Sequence, residues 1–181
     1  MTIFAGVATL CTLGRVWADA APTAAAAPAA PAAPAAAGTT DYTKISPIDL
    51  VKNTPKGKLV NPYKDTQADA VADGQKFLLS YSCSGCHGGG GGGGMCPPLT
   101  NDTWVYGGDD DTLFRLVTLG SDELQKAGYT RTGRENVVGP MPPFGSIIKN
   151  ADDLWRILAF VRSKYDGDPA YKFGAPPDPN N

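Results

Sequence analysis

The residues best able to do chemistry stand together at Cys83-Ser84-Gly85-Cys86-His87. C-x-x-C-H is the attachment signature of a c-type haem. Two thiols three positions apart, at the end of a helix, reach the two vinyl groups along one porphyrin edge. The next residue then presents its imidazole to the iron. Other chemistries ask for other surroundings. A thioredoxin-like C-x-x-C needs a βαβ setting, which this sequence lacks. A structural zinc site of Cys83, Cys86, His87 and Cys96 would force adjacent Cys86 and His87 onto one ion. The seven-glycine run after His87 is also a poor rigid knuckle for such a site. A plain Cys83–Cys86 disulfide is open only where haem attachment fails.

His87 is the single histidine, which excludes multi-histidine metal sites and any bis-histidine haem pair. The distal iron ligand must come from elsewhere, or the iron is open. Met1 precedes a candidate leader cleavage site. Met95 is eight residues from His87 and would have to wrap around the ring edge through glycine. Met141 lies 54 residues on, inside Gly139-Pro140-Met141-Pro142-Pro143-Phe144-Gly145. Proline on both sides restricts φ and stiffens that loop, which helps to hold a weak thioether ligand in place. Met141 is therefore the expected distal ligand; the alternative is a methionine packed in the core. His/Met ligation raises the potential and fills both axial positions. That favours a one-electron carrier over a catalyst. A haem-based sensor or catalyst with an open iron site is the competing reading.

The 181 residues suit one domain with an appendage. A net charge of -2 with no Lys/Arg stripe excludes a general nucleic-acid binder. Residues 1–13 are uncharged and mostly apolar but too short to span a bilayer, so no stable membrane insertion is expected. Ala18-Asp19-Ala20 offers the small-x-small pattern of a signal-peptidase site, with Ala21 as the new N-terminus. The basic residue expected ahead of the apolar run is missing, and Arg15 lies on the wrong side; a buried N-terminal helix is the alternative. Cys11 leaves with the leader, and the mature chain is expected in the periplasm. Residues 20–37 hold thirteen Ala and four Pro, which favours extended chain over a core. The expected organisation is a signal peptide (1–20), an Ala/Pro-rich linker (21–40), one domain (41–175) and a disordered tail (176–181). Within the domain, residues 41–63 read as irregular chain lying over the surface.

Three segments carry helical periodicity, and none alternates as a strand, so the chain reads as all-α. The first runs from about Gln67 to Ser82 behind Asp65 or Thr66 as N-cap. Gly74 within it costs about 1 kcal/mol against Ala, which makes sense where another helix crosses closely. The second runs from about Asp110 to Leu119, with Asp109–Asp111 at its positive dipole end and Gly120 as its C′ residue. The third runs from about Ala151 to Tyr165, capped by Asn150. Ser121 to Val138 reads as a long polar loop bordering the haem crevice. With 22 Gly and 16 Pro much of the domain is loop, and three short helices make a thin core. A large flat apolar ring supplies what they lack.

A helix, C-x-x-C-H, a Pro-containing loop, a Met between Pro residues and an amphipathic last helix together resemble the class I monohaem cytochromes c, over roughly residues 66–165. The resemblance implies three main helices around one covalently bound haem c. Cys83 and Cys86 would be its thioethers, and His87 and Met141 its axial ligands. It further implies that the Pro97 carbonyl of Pro97-Pro98-Leu99 accepts the Nδ1–H of His87, that the Trp104 N–H meets a haem propionate, and that first and last helices cross at Gly74. Gly94-Met95-Cys96-Pro97-Pro98-Leu99, Trp104-Val105-Tyr106-Gly107 and Gly139-Pro140-Met141-Pro142-Pro143 narrow it. They resemble the cytochromes c-L that serve PQQ-dependent methanol dehydrogenases, especially the lanthanide-dependent type. That implies such a dehydrogenase as electron donor and a downstream cytochrome c or oxidase as acceptor; a different periplasmic dehydrogenase is the alternative donor. Nothing in the likeness implies catalysis by this chain itself.

Charges cluster at Asp102 and Asp109–Asp111, at Lys126, Arg131 and Arg134, and at Lys149, Arg156, Arg162 and Lys164. Most read as solvated faces. Arg131 and Arg134 are expected near the crevice, and Arg162 and Lys164 away from it.

Overall fold

Five α-helices and two 3-10 turns make up the computed structural model, which describes residues 40–133 and 139–174. No strand occurs among them. The leader 1–20 with Cys11, the linker up to residue 39, Arg134 and the tail 176–181 lie outside the described residues. The elements run as a 3-10 turn (Tyr42–Lys44), α1 (Pro47–Asn53), α2 (Ala68–Ser80), α3 (Ser84–His87), α4 (Asp110–Lys126), α5 (Ala151–Ser163) and a second 3-10 turn (Pro169–Tyr171).

The pairing of α2 with α5 is the most extensive helix contact. α2 buries Ala70, Gly74 and Leu78, spaced four apart along one stripe. At Gly74 a Cβ would overlap the Arg156 carbonyl oxygen and touch Phe160 Cβ. The helix crossing that Gly74 called for is therefore present, with α5 as the partner. α5 is buried on nearly every side, through Leu154, Trp155, Ile157, Leu158, Phe160 and Val161, which marks it as the centre of the domain. Its Trp155 ring packs 4.2 Å from that of Phe114 on α4.

The caps show why two helices start where the sequence places them. Asp109 accepts from Thr112 N, and Asn150 from Asp153 N. α2 begins one residue later: Gln67 is its N-cap, without a side-chain bond. Asp65, expected there, is instead paired with Lys172 near the C-terminal end of the domain.

Three expectations are corrected. Residues 41–63 do not merely lie over the surface. Ser46-Pro47-Ile48-Asp49 starts α1, with Ser46 Oγ accepting from Asp49 N and Pro47 at the first turn. Val51 and Leu59 are buried in the core, and the Ile45 carbonyl receives Ala151 N at 2.8 Å. A buried pair locks this segment to α4. Arg115 donates to Asp111 at 3.0 Å and to the carbonyls of Val51, Thr54 and Pro55. Asp111 also accepts from Leu59 N and Tyr129 Oη. Second, Gly120, at φ 77°, does break the helix after Leu119 as expected, but helix resumes beyond it as far as Lys126, so Ser121–Lys126 is helix rather than loop. Leu124, fully buried, is the apolar anchor of that extra turn. Third, Arg162 is not a solvated charge: it is 2% exposed and bonds Asp110 and the Gly108 carbonyl.

Candidate functional site

The end of α2 is built to deliver Cys83. Tyr81 is its C-cap, and Ser82 takes the left-handed conformation at φ 63°. Ser82 N bonds the Leu79 carbonyl and Cys83 N the Leu78 carbonyl, both at 3.1 Å. That double bond is a Schellman ending, which brings the residue after the left-handed one against the helix's last turn. Cys83 and Leu78 are accordingly both buried. The chain then makes the single turn α3, closed by Gly88 N to the Ser84 carbonyl. Cys83 and Cys86, three apart on that turn, share a side.

The glycine run folds back on itself. Gly93 N bonds the His87 carbonyl at 2.9 Å, Cys96 N the Cys86 carbonyl at 3.2 Å, and Leu99 N the Gly91 carbonyl at 2.7 Å. This return places the Pro97 carbonyl 2.9 Å from Nδ1 of His87. A proline carbonyl can only accept, so Nδ1 carries the proton and Nε2 is left with its lone pair.

Cys83, Cys86 and His87 line a cavity of about 380 Å³, inside the range of roughly 300–1,000 Å³ usual for ligand sites. The rest of its wall is largely apolar: Leu78, Leu99, Leu113, Val117, Ile157 and Leu158 among others. Met141 lines it too, from the loop Gly139–Phe144, whereas Met95 is 65% exposed and takes no part in the wall. Burial pushes the Cys83 thiol up from its ordinary value. Cys96 also borders the cavity, its thiol raised by burial and by hydrogen bonding with Cys86.

Trp104 contributes its ring to the wall, but its indole N–H donates to the Leu99 carbonyl at 3.0 Å. The protein's own backbone uses the hydrogen that the resemblance assigns to a propionate. Arg131 borders the cavity as well. Sequence reading missed Tyr106, Gln125 and Ser121, three polar residues in the wall; Gln125 donates to the Tyr106 hydroxyl at 2.6 Å. Gln125 and Ser121 were hidden because the turn beyond Gly120 reads as loop.

Among the described residues no three His, Cys, Asp or Glu side chains converge as metal donors, which disfavours the zinc alternative. Cys83, Cys86 and Cys96 are not joined in a disulfide. Two thiols and an imidazole with a free Nε2 in one apolar cavity fit a covalently held haem.

An all-α fold around such a cavity is that of a class I cytochrome c, an electron-carrying class. Residues 69–161 match the family described as cytochrome C oxidase, cbb3-type, subunit III, and the chain belongs to that family. Among solved structures it is similar to cytochrome CL from the marine methylotrophic bacterium Methylophaga aminisulfidivorans MPT. That match has 23% identity over 67% of this chain and 77% of that one, at a TM-score of 0.46. No curated protein matches the chain.

Proposed function

We propose that this cytochrome is a periplasmic carrier that accepts single electrons from a PQQ-dependent methanol dehydrogenase and passes them to a downstream cytochrome c or oxidase. The observation that carries the first half is the composition of this cavity's wall. Among the described residues it holds an imidazole with a free Nε2 and a thioether, and no carboxylate. Haem c, when bound there, supplies a single Fe(III)/Fe(II) couple. Cys83 and Cys86 would hold it through thioethers, with His87 and Met141 as axial ligands. The Pro97 carbonyl keeps the His87 proton on Nδ1, and that second contact strengthens the imidazole as a donor. The largely apolar wall limits water around such a group, and among the described residues no carboxylate faces the cavity.

The donor rests on the likeness of the loops Gly94–Leu99, Trp104–Gly107 and Gly139–Pro143 to cytochromes c-L. Export rests on the apolar start and on Ala18-Asp19-Ala20. No helix among the described residues is long and apolar enough to cross a membrane. The family match favours a second reading, in which the chain feeds a terminal oxidase from a different donor.

The test is stopped-flow reduction of the ferric protein by purified methanol dehydrogenase with methanol present. Rapid reduction that saturates with dehydrogenase supports the proposed donor. No reduction by this enzyme, with normal reduction by dithionite, transfers the assignment to the second reading. Rapid binding of carbon monoxide by the whole ferrous population would instead make the site open, and the chain a sensor or catalyst.

A further inference from the structure

The wall residue with no role so far is Ser121, and its contacts point at Met141. Its backbone N–H donates to the Met141 carbonyl at 2.9 Å. Its Oγ accepts from Met141 N, also at 2.9 Å. Both backbone groups of Met141 are thus held by one residue, which is itself only 7% exposed. The bend at Gly120 makes this possible. A helix continuing straight through residue 120 would bond Ser121 N to its own preceding turn. With φ at 77°, Gly120 turns that N–H outward to the loop. The approach leaves no room for a side chain: a Cβ at Gly120 would lie 2.7 Å from Met141 O and 2.9 Å from Pro143 N. Two further bonds, Phe144 N to the Val117 carbonyl and Gly145 N to the Thr118 carbonyl, fasten the far end of the loop to α4.

We propose that Ser121 is the positioning residue that seats Met141 in the cavity, with the Gly120 bend as the device that aims it. This rests on the reading of Met141 as distal ligand. A thioether is a weak donor, so the fraction of time it is away from the iron depends on how firmly its backbone is held. Prolines 140, 142 and 143 limit the loop's internal freedom, yet stiffness alone does not fix where a loop sits. The Ser121 pair supplies the position. Removing Oγ leaves Met141 N without its protein partner, and a loss of that kind corresponds to about a five- to tenfold larger population with Met141 displaced.

The experiment uses holoprotein and imidazole as an exogenous probe. Imidazole binds the ferric protein only when Met141 is away, so its apparent affinity rises in proportion to that population. Ser121→Ala should tighten imidazole binding about five- to tenfold, with an intact mass that still shows bound haem. Ser121→Thr, which keeps the hydroxyl, should bind imidazole as the wild type does. Should Ser121→Ala fail to load haem, Ser121→Cys, of similar size but a weaker acceptor, should shift affinity in the same direction. Wild-type affinity in Ser121→Ala, or a threonine variant that behaves like the alanine one, overturns the positioning role. Met141→Ala is the reference that separates the two claims. If it leaves both imidazole affinity and the sulfur-to-iron charge-transfer band unchanged, the ligand reading itself has failed. If it alters both while Ser121→Ala alters neither, only the positioning claim falls.

Discussion

The imidazole of His87 has two nitrogens, and the Pro97 carbonyl engages the one that carries the proton. In the neutral ring Nε2 is thereby left with its lone pair, which would serve as a haem-iron donor, and a second ligand would have to come from elsewhere in the chain. Of the two methionines inside the domain, only Met141 borders the cavity, while Met95 is 65% exposed. Met141→Ala should therefore abolish the charge-transfer band of the ferric protein and lower its potential, and Met95→Ala should do neither. Loss of the band in Met95→Ala instead would reverse the assignment. Cys96 makes a separate prediction. On the proposed reading, in which Cys83 and Cys86 would form thioethers and Cys11 would leave with the leader, it is the one thiol expected in the mature chain. Burial raises its pKa, and thiolate is the reactive form. Alkylation of folded holoprotein should be slower than after unfolding, and unfolding should give one adduct by intact mass. No adduct would mean that Cys96 is already bonded; two would mean that a thioether is missing.

Helix against helix, the sharpest constraint is Gly74. Because its missing Cβ would overlap the Arg156 carbonyl, Gly74→Ala must part α2 from α5 or tilt them. Overpacking of this kind costs about 1–3 kcal/mol, more than the helix propensity that alanine returns, so Tm should fall. A Tm that rises would mean the crossing is looser than drawn. The buried Asp111–Arg115 pair contributes to the acid limit of the domain. Burial opposes the Asp111 charge, but Tyr129, Arg115 and backbone N–H groups of Gly57 and Leu59 outweigh it and hold the carboxyl below its ordinary value. A lowered carboxylate pKa contributes stability that is complete above the unfolded value, about 3.9, and is lost as pH falls through the folded one. Denaturant unfolding should thus show stability level near neutrality and falling below about pH 4. Arg115→Met strands a buried carboxylate and should cost about 3–5 kcal/mol at neutral pH. The same variant should make the acid limb shallower, because Asp111 then loses one of the groups that favour its charged form. An unchanged acid limb would assign that loss to other groups.

For the molecule as a whole, the encounter with its donor is the testable property. Interfaces of this transient kind are small and steered by charge. Arg131 borders the cavity, whereas Lys44 is an exposed side chain, paired with Asp41 and outside the wall. The second-order rate of reduction by methanol dehydrogenase should fall as salt rises, since the Debye length shrinks from roughly 30 Å at 0.01 M to about 10 Å at 0.1 M. Arg131→Glu should change that rate more than Lys44→Glu, with spectrum and potential nearly constant in both. Arg162 is no control for such a series, because its buried bonds to Asp110 and Gly108 make charge reversal a folding defect. Rates indifferent to salt would remove steering; equal effects from both variants would move the docking face away from the cavity mouth.

Much of this protein was legible from residue order because its chemistry is local. Cys83, Cys86 and His87 fall within five residues on one turn, so their spacing alone defines what they can hold. The caps at Asp109 and Asn150 act within three residues, and the four-residue spacing of Ala70, Gly74 and Leu78 marks the buried stripe of α2. Gly74 even announced a crossing, since only a close neighbour makes a mid-helix glycine worth its cost. What the chain order could not show were contacts between distant positions. Arg115 reaching Val51, Thr54 and Pro55 turns an irregular-looking segment into part of the core. Trp104 spends its N–H on Leu99, and Arg162 goes inside. Most of all, the residues after Gly120 read as loop, because a left-handed glycine is a common helix ending. Here the left-handed φ of Gly120 leads into a resumed helix that meets Met141, a residue 21 positions from Gly120. A backbone conformation of that kind is chosen by what packs against it, and only the tertiary structure supplies the neighbour.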